Sequence, residues 1–426
     1  MGLKRYKLGD LIEVTRGQSL AGEFYAEEGK YIRLTLGNFD YANGGFKPNT
    51  SKTNLYYTGP IKEQFILEEG DIITPLTEQT PGLLGSTARI PISGTYIQSQ
   101  DVALVRCKDG MINPAFCYYL LPSSSVKKQL AAGAQQTKIR HTSPDKIKDV
   151  VVDIPDISEQ RRIGQLLDAI THKIELNRSI NQNLEALAKQ LYDYWFVQFD
   201  FPNKEGRPYK SNGGKMVWNE KLKREIPDGW EAVSVNDISD SYRGVSYAKD
   251  DLVDEQHGLL VLRGNNIQNS QLVFDSNVAY IPESFVSDEQ KIRKGHIIMT
   301  MSSGSKEHVG KCVLFHHEPN ETYGAFLTKF VPHAFCSNLL YNVFNSDYFK
   351  SIIKSTASGT GINNLTNQTF DNIFIAMPPM ELLQKYDALQ DQLFGEVGNL
   401  QQNTWNLIKQ RDELLPLLMN SQVTLE

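Results

Sequence analysis

Residues Ser158 to Phe196 constrain the fold more than any other stretch of this chain. At spacings of three and four, one stripe falls on Leu167, Ile170, Ile174, Asn177, Asn181, Leu184, Ala188, Leu191 and Trp195. That alternation marks a helix whose apolar seam faces another helix. The run holds no proline, its one glycine (Gly164) comes early, and Ser158 reads as the capped start. Its 39 residues would span roughly 58 Å at about 1.5 Å each. A helix that long outruns a compact domain and needs a partner of similar length.

The sequence supplies one near its other end. From Glu381 to Leu418 a second seam runs through Tyr386, Leu389, Leu393, Val397, Leu400, Thr404, Leu407, Arg411, Leu414 and Leu418. Both helices follow a proline and then a polar residue before Gln (Pro155 to Gln160; Pro379 to Gln384). Two such helices predict a tandem repeat.

The rest of the chain obeys that repeat. KLGDLIEVTRGQS (Lys7 to Ser19) answers SVNDISDSYRGVS (Ser234 to Ser246), placing Asp10, Arg16 and Gly17 on Asp237, Arg243 and Gly244. YIRLTLGNF (Tyr31 to Phe39) answers LLVLRGNNI (Leu259 to Ile267), each a short strand ending in Gly/Asn turn chemistry. Leu67 to Ile90 answers Ile292 to Phe315, with Gly70 on Gly295 and Gly85 on Gly310. Each copy continues with a short helix (from Asn113; from Ser337), a Gly-rich polar loop (Ala131 to Ser143; Ala357 to Asn367) and a last strand (Val150 to Ile154; Ile373 to Met377). The repeat unit is a β-rich α+β domain followed by one long helix.

Between the copies, Gln198 to Glu231 is rich in Pro, Gly, Asn and charge. It reads as a linker that Phe199, Phe201 and Trp218 would pin down. No run of 18 apolar residues exists and no apolar signal core opens the chain, so the expectation is a cytoplasmic protein outside the membrane. Cys107, Cys117, Cys312 and Cys336 form no CxxC pair and read as reduced core residues. Net charge is −6 but uneven. Residues 1–150 carry 18 Lys and Arg against 15 Asp and Glu, whereas residues 227–380 carry 11 against 17. A nucleic-acid partner would therefore be held by local charge.

Three motifs imitate catalysis. Asn113-Pro114-Ala115-Phe116 is one residue from a DNA amino-methyltransferase loop, but Asn113 capping a helix with Pro114 in its first turn accounts for it. Gly304 to Lys311 has one residue too many for a phosphate loop, and Cys312 replaces the magnesium-binding Ser/Thr. His316 and His317, adjacent in a strand, would point to opposite faces. No metal-ligand spacing and no nucleophile–base set is recognisable, so the chain reads as non-catalytic.

ISEQRRI (Ile157 to Ile163), WFVQFDFP (Trp195 to Pro202), GRPYKSNGGKMVW (Gly206 to Trp218) and REIPDGWE (Arg224 to Glu231), set among two variable domains and two helices, resemble the specificity subunit of type I restriction-modification systems. The second lead-in, Pro379 to Gln384, departs from the family's Glu-Gln pair. The resemblance implies an α+β fold with target recognition domains at residues 1–154 and 227–378. Long helices at 155–197 and 379–426 would pair as an antiparallel coiled coil, with a linker at 198–226. It implies a subunit without enzymatic activity or cofactor of its own. Each domain would read half of a split double-stranded DNA site, while the helices set the spacer. The helices would also dock two methyltransferase subunits that use S-adenosylmethionine, with restriction and translocase subunits joining. A methylation-only complex and a coiled-coil protein scaffold are the alternatives.

Base readout needs side-chain donors and acceptors on loops. In the first domain these are Gln79, Gln135, Gln136, Lys138, Arg140 and His141; in the second, Lys306, His308, Asn363 and Asn364. Arg16 and Arg243 are candidates for phosphate contact.

Overall fold

The structure, a computed structural model, describes residues 2–41, 44–78, 82–133, 140–268, 271–273, 278–303, 308–356, 363–420 and 422–423. The chain divides into two compact units: Met1–Leu176 with Thr404–Glu426, and Asn177–Asn403.

In the first unit a four-stranded antiparallel sheet has the order Ile12–Arg16, Val102–Cys107, Ile72–Pro75, Ala88–Arg89. A second sheet of very short strands orders Tyr25–Ala26, Tyr56–Tyr57, Tyr31–Arg33 and Tyr96–Ile97, the last pair parallel. Lys4–Lys7 pairs with Val151–Ile154, closing the domain's first strand onto its last. Period-two patterning explains the main sheet's two faces. Ile72, Ala103 and Val105 enter one core with Leu8, Phe116 and Leu167, while Ile73, Val102 and Leu104 enter another with Leu34 and Phe39.

The second unit repeats this topology. Its four-stranded sheet runs Ser239–Arg243, Leu327–Pro332, Ile297–Thr300, Cys312–Leu314. Tyr280–Ile281, Leu259–Leu262 and Glu321–Tyr323 form the small sheet, again with one parallel pair. Glu231–Ser234 pairs with Phe374–Met377. The repeat read from sequence extends to the turns: Gly70 and Gly295 both adopt left-handed φ, +86° and +85°, and both amides donate to the strand beyond (Ile90 O, 2.9 Å; Phe315 O, 2.7 Å).

The long helices are Ile157–Tyr192 and Met380–Met419, and residues of each belong to both units. The first ends four residues before the expected Phe196, in a π-helical turn at Asp193–Val197. Its cap is Asp156 and not Ser158: one carboxylate oxygen accepts the Ser158 and Glu159 amides at 2.9 and 3.0 Å. Those bonds, with the Ser158 hydroxyl first, hold the Asp156 carboxyl below its ordinary range. The predicted seam of this helix is buried or half-buried at every position.

The second seam shifts. Leu389 is 44% exposed, and Gln390 is buried in its place because its amide donates to Ala188 O (2.9 Å) and the Tyr386 hydroxyl (3.0 Å). Within the first unit, Ile163 and Leu167 share a core with Leu418 and Met419.

The stretch after Trp195 is built into the second unit's core. Phe199, Phe201, Ile226 and Trp230 are buried with Trp195, Phe196 and Tyr386. Phe201 stacks between Tyr209 (4.7 Å) and Trp230 (5.1 Å), and the Arg224 guanidinium lies 4.4 Å from the Phe199 ring centroid. Trp218, expected as a pin, sits on a hairpin with 58% of its surface exposed. All four cysteines are free; Cys117, Cys312 and Cys336 are buried and Cys107 is half-buried.

Candidate nucleic-acid interface

In each domain the segment that leaves the main sheet and the end of the Gly-rich polar loop meet as a two-stranded antiparallel ribbon. In the first unit Thr77–Glu78 pairs with Arg140–His141, Arg140 opposite Glu78 and His141 opposite Thr77. In the second, Ser302–Ser303 pairs with Asn363–Asn364, Asn363 opposite Ser303 and Asn364 opposite Ser302. Each ribbon grows from the same place. The strand Ile72–Pro75 runs into Thr77 and the strand Ile297–Thr300 runs into Ser302, so the sheet sets where the ribbon leaves the core.

Arg16 and Arg243 lie at that same end of their sheets. Arg16, Ala103 and Thr74 form one row across three strands, as do Arg243, Thr328 and Met299. Each arginine is anchored by its Nε to a loop carbonyl: Arg16 to Gln100 O at 2.8 Å, Arg243 to Ala325 O at 3.2 Å. Gly17 and Gly244 explain why the arginine is followed by glycine in both copies. A Cβ would fall 2.3 Å from Ser99 O at the first and 2.3 Å from Gly324 O at the second. Backbone approach that close admits glycine alone. Both arginines are exposed residues.

The first ribbon carries a charge that the sequence did not reveal. The Glu78 side chain is only 1% exposed, with Arg140 Nη1 at 3.6 Å from its Oε1. Its Oε2 accepts the amides of Leu83 (2.8 Å) and Leu84 (3.0 Å). Lys127 also holds this loop, donating to Gly82 O at 3.0 Å. Burial, and after it the Glu78 charge, pushes the Tyr41 phenol up to about 12. Glu78 thus orders the turn beyond the ribbon and holds Arg140 beside it. Nothing marks it in the sequence, where an acid in a polar Gly/Thr loop reads as solvated.

His141 is exposed on the ribbon. His308 is half-buried, with its Nδ1 3.3 Å from Lys311 Nζ. Asn363 and Asn364 lie on the ribbon backbone. Gln79, Gln135, Gln136, Lys138 and Lys306 lie outside the described residues.

Two of the three catalytic imitations resolve as packing, and Gly304 to Glu307 of the third lie outside the described residues. Asn113 Oδ1 accepts the Phe116 amide at 3.1 Å and caps the helix Pro114–Leu120. The Asn113 amide in turn donates to Gln160 of the long helix at 2.9 Å. Gly164 fits against that turn, since a Cβ there would lie 2.8 Å from Ala115 Cβ. The lead-in Gln160 is therefore a docking residue. In the second unit Gln384 is exposed, and Asn338 replaces the contact by donating to both Asp387 and Asp391 at 2.8 Å. His316 and His317 follow a strand that ends at Leu314, and His316 stacks on Phe394 at 4.5 Å. Among the described residues no group of His, Cys, Asp or Glu is arranged to hold a metal ion, and no helix is long and apolar enough to cross a membrane.

Twin domains, each raising a ribbon beside an anchored arginine, define a recognition protein without a catalytic centre among the described residues. Residues 2–186 match the profile of the type I restriction modification DNA specificity domain. The chain is 30% identical over 208 residues to the StySPI specificity subunit of Salmonella potsdam, and equally to the EcoKI specificity subunit of Escherichia coli. Those matches span 47% of this chain and 44% of each relative. The MjaIX specificity subunit of Methanocaldococcus jannaschii is 25% identical over 359 residues, 81% of this chain and 78% of that one. The crystal structure of a type I restriction-modification S subunit from M. genitalium shares the fold, with a TM-score of 0.60 at 16% identity over 98% of this chain and 96% of that one. By these matches the chain is similar to the specificity subunits of type I restriction-modification systems, about half the length of the 30%-identical relatives being spanned.

Proposed function

We propose that this chain is the non-catalytic DNA-reading subunit of its complex, with each ribbon reading one half of a split duplex site. The observation that carries this is the matched pair of ribbons with unmatched side chains. The same backbone device sets Glu78 opposite Arg140 in one unit and Ser303 opposite Asn363 in the other. A two-stranded ribbon fits the major groove, where Arg favours guanine and Asn favours adenine. Different residues on equal scaffolds suit an asymmetric site. Arg16 and Arg243 serve as phosphate contacts, and Gln79, Gln135, Gln136, Lys138, His141, Lys306, His308 and Asn364 complete the candidate reading set.

The long helices are read as an antiparallel pair that sets the spacer between half-sites. Early residues of one helix meeting late residues of the other support this: Leu167 with Leu418 in the first unit, Ala188 with Gln390 in the second. Exposed apolar residues on the same helices, Leu187 and Leu389 among them, suit the docking of two methyltransferase subunits. S-adenosylmethionine chemistry on adenine and any nuclease or translocase action belong to those partner subunits, in the cytoplasm.

The test begins by mapping methylated adenines in the host genome to obtain the site. Binding of the complex with its methyltransferase subunits is then measured on duplexes altered in one half-site at a time. Lys138→Ala is expected to lower discrimination at one half-site, and Asn364→Ala at the other, each by about 1–3 kcal/mol. Equal losses at both half-sites for both variants would overturn the assignment.

A further inference from the structure

Beside the first ribbon lies a cavity of about 320 Å³ with a buried arginine in its wall. Arg33 is 7% exposed, and among the described residues no carboxylate pairs with it. Its Nε and Nη2 share one acceptor, Asn54 O, at 3.4 and 3.2 Å, and its guanidinium lies 3.8 Å from the Tyr25 ring centroid. A carbonyl and a ring face leave the positive charge unneutralised where water is scarce, and such a charge favours an incoming anion.

The rest of the lining fits an anion. Thr35, Asn49, Ser51 and Lys52 face the cavity, and Asp101 is the one acid among its described lining residues. The turn is ordered before any ligand arrives: Asn49 Nδ2 donates to Thr35 Oγ1 at 2.8 Å, and Ser51 Oγ donates to Asn49 Oδ1 at 2.6 Å. Two further lining residues connect the cavity to the reading surface. Gln100 O is the anchor of Arg16 at 2.8 Å, and Asp101 O accepts the amide of Leu76, the residue before the ribbon, at 2.9 Å.

The second unit sets an arginine at the same turn with different wiring. In both, a residue before a short 3-10 turn donates its amide to an asparagine three positions on at 2.9 Å, Thr35 to Asn38 and Arg263 to Asn266. Arg263 then donates from Nε to the Tyr247 hydroxyl at 3.0 Å, again with no carboxylate paired to it among the described residues. Each unit thus places an arginine against a tyrosine at this turn.

We infer that the Arg33 cavity is a seat for a backbone phosphate of the bound duplex, gripped by Arg33 and Lys52 while the ribbon reads the adjoining bases. The inference rests on the DNA-reading function proposed above. A phosphate contact carries no sequence information, so its loss differs in kind from the loss of a base contact.

The complex with its methyltransferase subunits is titrated with cognate and non-cognate duplexes between 50 and 200 mM salt. Arg33→Gln and the exposed Lys52→Gln are each expected to weaken both duplexes alike and to lower the salt slope by about 0.9, so the wild-type advantage shrinks about threefold over that range. Arg33→Lys is expected to recover most of the slope, and melting curves identify any variant that fails to fold. Lys52→Gln keeps the test alive should Arg33→Gln melt early. A wild-type slope in folded Arg33→Gln, or in Lys52→Gln when Arg33→Gln is unfolded, would overturn the phosphate seat. Absence of sequence-selective binding by the wild-type complex would instead overturn the function on which it rests.

Discussion

Replacing Glu78 by Gln removes one charge from a side chain that is 1% exposed and leaves its shape almost unchanged. Two contributions follow from the geometry. Its bonds to the Leu83 and Leu84 amides (2.8 and 3.0 Å) become bonds to a neutral acceptor. A bond to a charged group contributes about 1.5–3 kcal/mol and a neutral one about 0.5–1.5, so the two together lose about 2 kcal/mol. The Arg140 pair adds less than about 1 kcal/mol, because that side chain is 36% exposed and water screens it. Relief from holding a charge in the core works the other way, leaving a net loss of about 2 kcal/mol. For a unit of this size that lowers the melting temperature by about 4–8 °C. Calorimetry reads the melting temperature, and hydrogen exchange at Leu83 and Leu84 shows whether the loss is local. Arg140→Ala is expected to couple with Glu78→Gln, the double variant losing less than the two singles combined. A melting temperature within 1 °C of wild type with unchanged amide protection would refute the reasoning.

Two other expectations concern the second unit and the helices. His316, stacked on Phe394, titrates at about 4, chiefly through burial, with His317 and Lys294 adding to the shift and Asp391 opposing it. The unfolded imidazole, at about 6.5, takes up its proton first. Stability of this unit is therefore intact above about pH 6.5 and falls toward pH 4, by up to about 3 kcal/mol from this group. His296 shifts in the same direction, so urea titrations of His316→Phe should flatten that fall without abolishing it; an unchanged pH profile would exclude His316 as a contributor. Matched insertions of four residues in both helices, beside Asn181 and at the facing level, should change the tolerated DNA spacer by about 6 Å, near two base pairs, with both half-sites kept. An unchanged spacer in the methylation map would end the ruler reading.

The repeat was legible because it is carried by local constraints that write themselves into sequence. Gly17 and Gly244 answer the approach of a distant backbone and were legible only because both copies keep them, whereas Gly70 and Gly295 answer a left-handed turn, a signal that needs no knowledge of the partner strand. The first seam was legible for the same reason, down to its polar members: Asn177 and Asn181 are 5% and 6% exposed, each with one side-chain atom lacking a hydrogen-bond partner among the described residues. The second seam misled at Leu389 because a buried glutamine with two bonds looks in sequence like any exposed one. The readout loops could be nominated singly from their polar Gly-rich composition, but their pairing depends on contacts between distant segments. Glu78, Gln160, Arg33 and Arg263 were missed on the same account. Each is a polar residue whose role comes from what the fold places against it.

That division between local and long-range signals bears on how such a chain can change what it reads. The root of each ribbon is fixed by backbone bonds: Thr142 N to Leu76 O at 2.9 Å in one unit, Leu365 N to Met301 O at 2.8 Å in the other. The arginine beside it is fixed by a glycine contact and a carbonyl. None of these bonds uses a side chain of the ribbon itself, so the cross-strand pair at its base can be Glu78 with Arg140 or Ser303 with Asn363 on an unchanged frame. The exception is Glu78, whose buried carboxylate ties the first ribbon to the turn at Leu83 and Leu84. Changing the pair at Glu78 is therefore expected to cost the first ribbon the stability of that tie.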